Sequence, residues 1–119
     1  MDYPKTVKEI IEQNNVPAVW ANEQGIIEGV NRIFTENYGW SDTELIGKSI
    51  AEIMPPQFRE LHHIGFSRFL TTEQSKILGK PLPLAILFKN GTAQNAEHFI
   101  LGEKEDNKWR FAATIIIRK

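Results

Sequence analysis

Residues 31–50 read NRIFTENYGWSDTELIGKSI, and this stretch decides the fold. Gly39 should end a first short helix, because glycine readily takes the left-handed conformation that closes many helices. Ser41 and Glu44 have the spacing of a capping box, which predicts a second short helix. Ser49 can cap a third short turn. These signals follow too closely for one long helix, so short helices joined by tight turns are predicted here.

A short helix and a pair of strands are predicted before this stretch. Thr6 and Glu9 also have the spacing of a capping box, and the helix that follows should run to residue 13 or 14. Its apolar side chains form one stripe: Val7, Ile10 and Ile11. Docking of this stripe on the chain's own domain is the favoured interpretation, and a contact between subunits is the alternative. Residues 17–22 and 26–30 flank a turn at 23–25, which predicts a hairpin.

The sequence after residue 50 predicts one long helix and three more strands. Pro55 and Pro56 should start the helix, because proline at a first helical position gives up an N–H that has no partner there. This helix should run from residue 56 to 70. Strands then follow from residue 77 or 78 to 88, at 92–101 and at 109–117, with turns at Asn90-Gly91 and at 103–107. Five strands with helices inserted between the second and third predict an α+β fold, a curved antiparallel sheet with the helices on one face.

The order and spacing of the residues at 31–50 resemble the signature of PAS domains. The matching positions are an asparagine that closes the second strand, an apolar-Phe pair, an aromatic-Gly-aromatic turn and an acidic segment: Asn31, Phe34, Tyr38-Gly39-Trp40, Glu44-Leu45-Ile46-Gly47-Lys48 and Ile50. The resemblance implies a PAS domain at residues 16–119, preceded by a flanking helix at 1–15. It implies a sensory or interaction module of a signalling protein, such as a two-component system, rather than an enzyme.

Composition and charge restrict the classes of partner. With 119 residues, 41% of them hydrophobic, the chain can bury one core, so the effector domain is expected elsewhere in the same or another signalling protein. The 14 basic and 15 acidic residues are intermixed, which gives no basic stripe for nucleic acid and no polybasic surface for membrane lipid. No run approaches the roughly 20 apolar residues of a membrane span, so a cytoplasmic location is expected.

The absence of cysteine restricts the classes of cofactor. It excludes disulfides and thiolate metal sites. Within the PAS family, the branch that forms a flavin adduct and the branch with a thioester-linked chromophore both need a pocket cysteine, so neither cofactor is expected. The identity of the ligand is otherwise left open.

The long helix carries the candidate ligand site, in a pocket that the resemblance places between this helix and the sheet. At about 100° per residue, one broad stripe of the helix should face the interior: Phe58, Leu61, His62, Gly65, Phe66 and Phe69. His63 is expected to face water, and Gly65 to leave space for a small molecule. The predicted set of ligand-binding residues is His62, Arg59, Gly65, Phe66, Phe69, Leu82 and Trp109.

His62 is also the candidate axial ligand of haem. In the oxygen-sensing haem branch of the PAS family, the proximal histidine lies on this helix three residues after an arginine. Arg59 and His62 match those positions, and Gly79 matches a downstream glycine. Leu82 stands where that branch has an arginine that contacts the bound gas, which argues against haem. A core histidine is the favoured interpretation of His62, and haem with His62 as metal ligand is the alternative.

Arg59, Trp109 and His98 each allow two interpretations. Arg59 can bind a ligand carboxylate, although a surface salt bridge with Glu52 or Glu60 is favoured. Trp109 can line the pocket, although core packing is favoured. Alternation along its strand does not decide which face of the sheet His98 occupies.

The expected function is regulatory. The state of the pocket should shift the packing of the long helix against the sheet, and a partner domain should read that shift. The apolar run at 115–117 predicts a strand covered on both faces, so a homodimer through the first helix and the outer face of the sheet is expected. A small enzyme or carrier on a similar curved sheet is the alternative of another class, and catalysis would need an interior carboxyl group with a raised pKa.

Overall fold

The computed structural model describes residues 3–75 and 77–118. In chain order these form α1 (Val7–Ile11), β1 (Ala18–Ala21), β2 (Ile27–Val30), α2 (Arg32–Tyr38), α3 (Asp42–Leu45), 3₁₀ helices at Ile50–Ile53 and Pro56–Phe58, α4 (Arg59–Thr72), β3 (Pro81–Leu87), β4 (Ala93–Glu105) and β5 (Lys108–Ile116). Across these ranges, no helix combines the length and apolar character needed to cross a membrane. The domain division at residue 15 stays a prediction, and its outer ends at residues 1, 2 and 119 lie outside the described part.

The five strands form one antiparallel sheet, as predicted, and their order is β2-β1-β5-β4-β3. The last strand lies in the centre, where β5 pairs with β1 on one side and with β4 on the other. β3 forms one edge and pairs with β4 from Pro81, opposite Phe99, to Leu87, opposite Ala93. Pro81 and Pro83 are tolerated on β3 because an edge strand can spare N–H donors on its open side.

Two strand boundaries differ from the prediction. β3 begins at Pro81 because Gly79 turns the chain just before it, with a φ of 79°. β4 continues to Glu105 because the tight turn to β5 needs only Asp106-Asn107, which have φ values of 51° and 67°. Asparagine and aspartate adopt this left-handed region more readily than most side chains.

The two short helices follow the predicted signals. Gly39 ends α2 with a φ of 85°, a conformation that glycine adopts without steric cost. Ser41 caps α3, and both hydrogen bonds of the capping box with Glu44 are present. Ser49 caps the first 3₁₀ helix. The local sequence therefore determines the path of residues 31–53.

One face of the sheet, here called the front face, carries the main core. Buried residues of the sheet, α2, α3 and the first 3₁₀ helix pack there: Val19, Ile27, Phe34, Tyr38, Leu45, Ile53, Ile86, Ala96, Ala113 and Ile115. The phenol of Tyr38 donates to the carbonyl of Ile115 over 2.6 Å and so ties α2 to β5. Burial raises the pKa of Tyr38 to about 12, which keeps this hydroxyl protonated at neutral pH.

Asn31 joins three parts of the chain. Its side-chain oxygen accepts hydrogen bonds from the N–H groups of Ala18 and Phe34, over 3.0 and 2.9 Å. Its side-chain amide donates to the carbonyl oxygens of Gln13 and Val16, over 3.2 and 2.7 Å. The single side chain thus caps α2, fixes the start of β1 and holds the segment that leads there from α1.

The opposite, back face of the sheet is covered by α1. Val7 and Ile10 are buried there against Ala18 and Ala112, with Ile11 at the margin. Docking of α1 on its own domain is therefore confirmed. The helix is shorter than predicted and ends at Ile11, since the chain beyond it turns toward Asn31.

Only one half of the capping box predicted for α1 is present. The Thr6 hydroxyl accepts from the N–H of Glu9, but the Glu9 carboxylate accepts from the N–H of Lys5. Homodimerisation through this face stays a prediction. Ile10 cannot contribute to it, because this side chain is fully buried in the single chain.

Alanine substitutions at two neighbouring positions of α1 test its docking. Ile10→Ala should lower the free energy of unfolding by about 2–5 kcal/mol, the usual range for a buried isoleucine. Ile11→Ala, at a half-buried position, should cost clearly less and serves as the matched control. Urea denaturation followed by circular dichroism measures both. Equal losses would show that α1 does not dock through Ile10.

Candidate functional site

α4 approaches the front face with one narrow side. Its first turn is the 3₁₀ helix at Pro56–Phe58, and α-helical bonding begins at Arg59. His62, Phe66 and Phe69 follow at spacings of four and three residues, which places them on one side of the helix. Phe69 is buried, and His62 and Phe66 are half-buried.

The interior stripe predicted for α4 is too wide. Leu61 is 70% exposed and Phe58 is 46% exposed. Gly65 is also exposed, and a Cβ placed on it would meet no atom within 4 Å. The prediction that these three residues face the interior is therefore wrong. The large rings at positions 66 and 69 set the rotation of α4, and Gly65 lies about 100° around the helix from Phe66.

Four rings, here called the aromatic cluster, fill the space between α4 and the start of β5. They are Phe66, Phe69, Trp109 and Phe111. The ring centroids of Phe69 and Trp109 lie 4.8 Å apart, and those of Phe66 and Phe111 lie 5.4 Å apart, both edge to face. Gly102 on β4 makes room for Phe111, since a Cβ there would lie 2.9 Å from its ring. Trp109, which is half-buried, therefore packs beneath α4, where the favoured interpretation placed it.

The two adjacent histidines of α4 diverge as predicted. His63 is exposed, whereas His62 is half-buried and stacks on Phe66 with centroids 5.7 Å apart. Burial, and to a lesser degree the neighbouring His63, lower the pKa of His62. His62 is therefore held mainly in its neutral form at pH 7.

Arg59 and Leu82, the other two residues of the predicted set, belong to different elements, the start of α4 and the edge strand β3. The Arg59 Nε donates to the carbonyl of Met54 over 3.1 Å, and this side chain is half-buried. Its predicted salt bridge with Glu52 or Glu60 is not formed among the described residues. Leu82 is half-buried on β3, directly opposite a residue of β4 that also faces the helices.

That residue is His98, which strand alternation alone did not assign to a face. Its neighbours across the sheet are Leu82 and Ile115, and the latter belongs to the front-face core. His98 is only 9% exposed, and burial lowers its pKa. The signal that was missed is Glu97, whose charge favours the opposite face for itself and so the front face for His98.

An open cleft of about 640 Å³ lies beside the aromatic cluster. Of the predicted ligand-binding residues, Phe66 and Trp109 line this cleft. His63 also lines it, whereas His62 does not. Lys104 and Glu73 form an ion pair of 2.6 Å in its wall, and the Lys104 hydrogen bond lowers the pKa of the Glu73 carboxyl group. The indole N–H of Trp109 is buried near this carboxylate and has no hydrogen-bond partner among the described residues.

The residues around His62 do not fit haem. A haem bound through His62 would need free space between α4 and the sheet, but the ring of Phe66, which stacks on His62, occupies part of that space. Phe66 is in turn packed on Phe111. Gly65, which was expected to provide room, faces away. Among the residues with described positions, no group of three or more histidine and carboxylate side chains could hold a metal ion either.

The carboxyl groups with shifted pKa values in the described ranges are paired with cations. Hydrogen bonds from Lys89 lower the pKa of Glu44 to about 2, and Arg118 lowers that of Glu97. The buried polar residues in the same ranges are His98 and Thr114. The interior carboxyl group with a raised pKa that the enzyme alternative requires is thus not found in this part of the chain.

Comparison with known proteins agrees with this geometry. A family model described as the PAS fold matches residues 5–97. A PAS domain from Desulfitobacterium hafniense superposes with a TM-score of 0.69 at 21% identity, covering 92% of this chain and 99% of its own. The PAS domain of the RpfR quorum-sensing receptor from Cronobacter turicensis, in complex with C12:0, gives 0.64 at 16% identity, covering 92% and 100%. The PAS domain of the fruit-fly ELK potassium channel gives 0.66 at 18% identity, covering 93% and 96%.

The orientation of Gly65 can be tested by adding a methyl group. Gly65→Ala should raise the free energy of unfolding by about 0.5–1 kcal/mol, because alanine is the better helix former and the new methyl group meets open space. An inward Gly65 would instead make the substitution destabilising through overpacking. Urea denaturation distinguishes the two signs.

The buried histidines predict a pH dependence of stability. The pKa values of His62 and His98 lie below 6.5 in the folded chain, so the unfolded chain binds protons more tightly. The free energy of unfolding should therefore be highest above about pH 6.5 and fall as the pH decreases toward the folded-state pKa values. Urea denaturation at several pH values measures this slope, which should be smaller in His62→Gln. An unchanged slope would contradict the burial of a neutral His62.

Proposed function

Because the chain belongs to the PAS family, we propose that it is a sensory domain that binds a small, largely apolar ligand on the front face, between the sheet and α4. Occupancy of this site changes the packing of α4 against the sheet. The change passes to an effector domain of the same or another signalling protein. Around the site lie the predicted residues His62, Arg59, Phe66, Phe69, Leu82 and Trp109, without Gly65.

The observation that carries this proposal is an apolar surface left partly open on the front face. We call it the apolar floor; it consists of Leu82, Leu84, Ala96 and Ile100. Leu82 faces His98 and Leu84 faces Ala96 in the β3–β4 pairing. Leu84 is 41% exposed, and Leu82 and Ile100 are half-buried. Ligand sites are commonly lined by apolar side chains with a few polar groups, and this floor has that composition.

The attachment of α4 supports a movable element beside this floor. α4 contacts β5 through the aromatic cluster, and its end is fixed to β4 by the ion pair between Glu73 and Lys104. These side chains are partly exposed, so the ion pair itself contributes little. A ligand that binds one position of α4 better than another shifts its equilibrium by that difference in affinity.

The relatives support small-molecule binding as a use of this fold. The RpfR receptor domain was solved in complex with C12:0, and another similar domain belongs to a potassium channel. Arg59 lies at the beginning of α4 and can donate to an oxygen atom of a bound molecule. A domain that only binds other proteins is the competing function.

Mass spectrometry under native conditions tests the proposal directly. Protein purified without denaturation should carry a co-purifying small molecule, visible as an added mass that disappears after unfolding and refolding. The refolded protein should be less stable than the purified form, because a ligand that binds only the folded state stabilises it. The competing function would be favoured if no added mass were found and if added apolar molecules did not change the stability of the protein.

Fluorine NMR tests the proposed movement of α4. Protein labelled with fluorotryptophan should give separate signals for Trp20, Trp40 and Trp109, assigned by single Phe substitutions. Removal of the co-purified ligand should shift the Trp109 signal, because this ring packs against Phe69 of α4, with ring centroids 4.8 Å apart. Trp20 packs on the back face and should not respond, which makes it the internal control. Equal shifts of both signals would contradict a movement confined to α4.

A further inference from the structure

His98 stands alone as a polar side chain within the apolar floor. The neighbours across the sheet are Leu82 and Ile115, and Ala96 and Ile100 precede and follow it on the same face of β4. None of these side chains carries a hydrogen-bonding group. His98 is nevertheless nine-tenths buried at the middle of the sheet. A polar group retained in such surroundings needs a partner or a function.

The hydrogen bond made by Nδ1 of His98 determines whether Nε2 carries a proton. The Nδ1 of His98 lies 3.0 Å from the carbonyl oxygen of Ala96. A carbonyl oxygen can only accept, so Nδ1 must carry the proton. Burial disfavours a second proton on the ring, which leaves Nε2 as a bare acceptor. In the described part of the chain, Nε2 has no hydrogen-bond partner.

We propose that His98 is the ligand-binding residue of the front face, and that its Nε2 accepts a hydrogen bond from the hydroxyl group of a neutral, otherwise apolar molecule. This inference rests on the function proposed above and specifies its ligand. The apolar floor takes the hydrocarbon part of the molecule, and Nε2 fixes its polar end. An ionised acid does not fit this nitrogen, because a carboxylate has no proton to donate.

His62 differs from His98 because no hydrogen bond among the described residues fixes the tautomer of its ring. Its ring stacks on Phe66, and no hydrogen bond in the described part of the chain fixes which nitrogen carries the proton. A ring with an undefined tautomer presents no defined acceptor to a ligand. The histidine that the sequence singles out on α4 is thus a packing residue, and the proposed binding residue belongs to β4.

The tautomer of His98 is the first test, and it needs only the native protein. Long-range proton–nitrogen NMR correlation of the histidine rings should show His98 protonated at Nδ1 and unprotonated at Nε2. The His98 signals are assigned by their absence in His98→Phe, or by selective labelling if that variant does not fold. A His98 ring protonated at Nε2 overturns the proposal.

Two isomeric probes test the ligand class. Octanol and heptyl methyl ether have the same atoms, but only octanol can donate a hydrogen bond. Octanol should bind about fivefold more tightly in a titration followed by NMR, since one hydrogen bond contributes on the order of 1 kcal/mol. It should also shift the Nε2 resonance of His98, which the ether should leave in place.

Substitutions at two histidines complete the test. The preference for octanol should disappear in His98→Phe and persist in His63→Phe, because the His63 side chain is exposed and lies outside the proposed site. Equal binding of both probes to the native protein overturns the role of His98 while leaving the proposed sensory function intact. Binding of neither probe overturns the apolar floor as a ligand site, and with it both proposals.

Discussion

The hydrogen bonds of Asn31 are the constraint on which the rest of the structure depends. Its oxygen and its amide nitrogen each make two hydrogen bonds to the backbone. They connect the segment after α1, the start of β1 and the start of α2. Since α1 covers the back face of the sheet and α2 packs on the front face, one side chain joins both layers. Glutamine carries the same amide group, with two donor and two acceptor positions. Its side chain is longer, however, and costs more entropy to fix.

The sequence predicts the parts of the fold that local chemistry controls. Gly39, Ser41 and Ser49 act within one turn of their own position, so their caps could be assigned from spacing alone. The five strands and their antiparallel arrangement were predicted from β-rich runs and turn residues, whereas the central place of β5 is known only from the structure. Boundaries were less accurate where distant contacts decide them. α1 ends early because its continuation bonds Asn31, which lies beyond β2.

The candidate site was only partly predictable because it depends on the rotation of α4. Helical spacing places Leu61, His62 and Phe66 within one broad stripe, but the contacts of Phe66 and Phe69 with β5 decide which part of that stripe is buried. These contacts join residues that lie 40 and 45 positions apart in the sequence, and no local pattern encodes them. The face of the sheet that His98 occupies was undecided for a related reason. Which side chains of a strand face the helices is set by the pairing with the strands on both sides.

The two prolines of β3 have a consequence for how this domain meets other proteins. Pro81 and Pro83 remove two alternate N–H groups from an edge strand, where a foreign strand would otherwise find donors. The β3 edge is thereby protected from extension by backbone pairing, which is nearly indifferent to sequence. A neighbouring protein that binds at this edge must instead recognise side chains. Recognition there is thus open to change by single substitutions, without any alteration of the sheet that supports them.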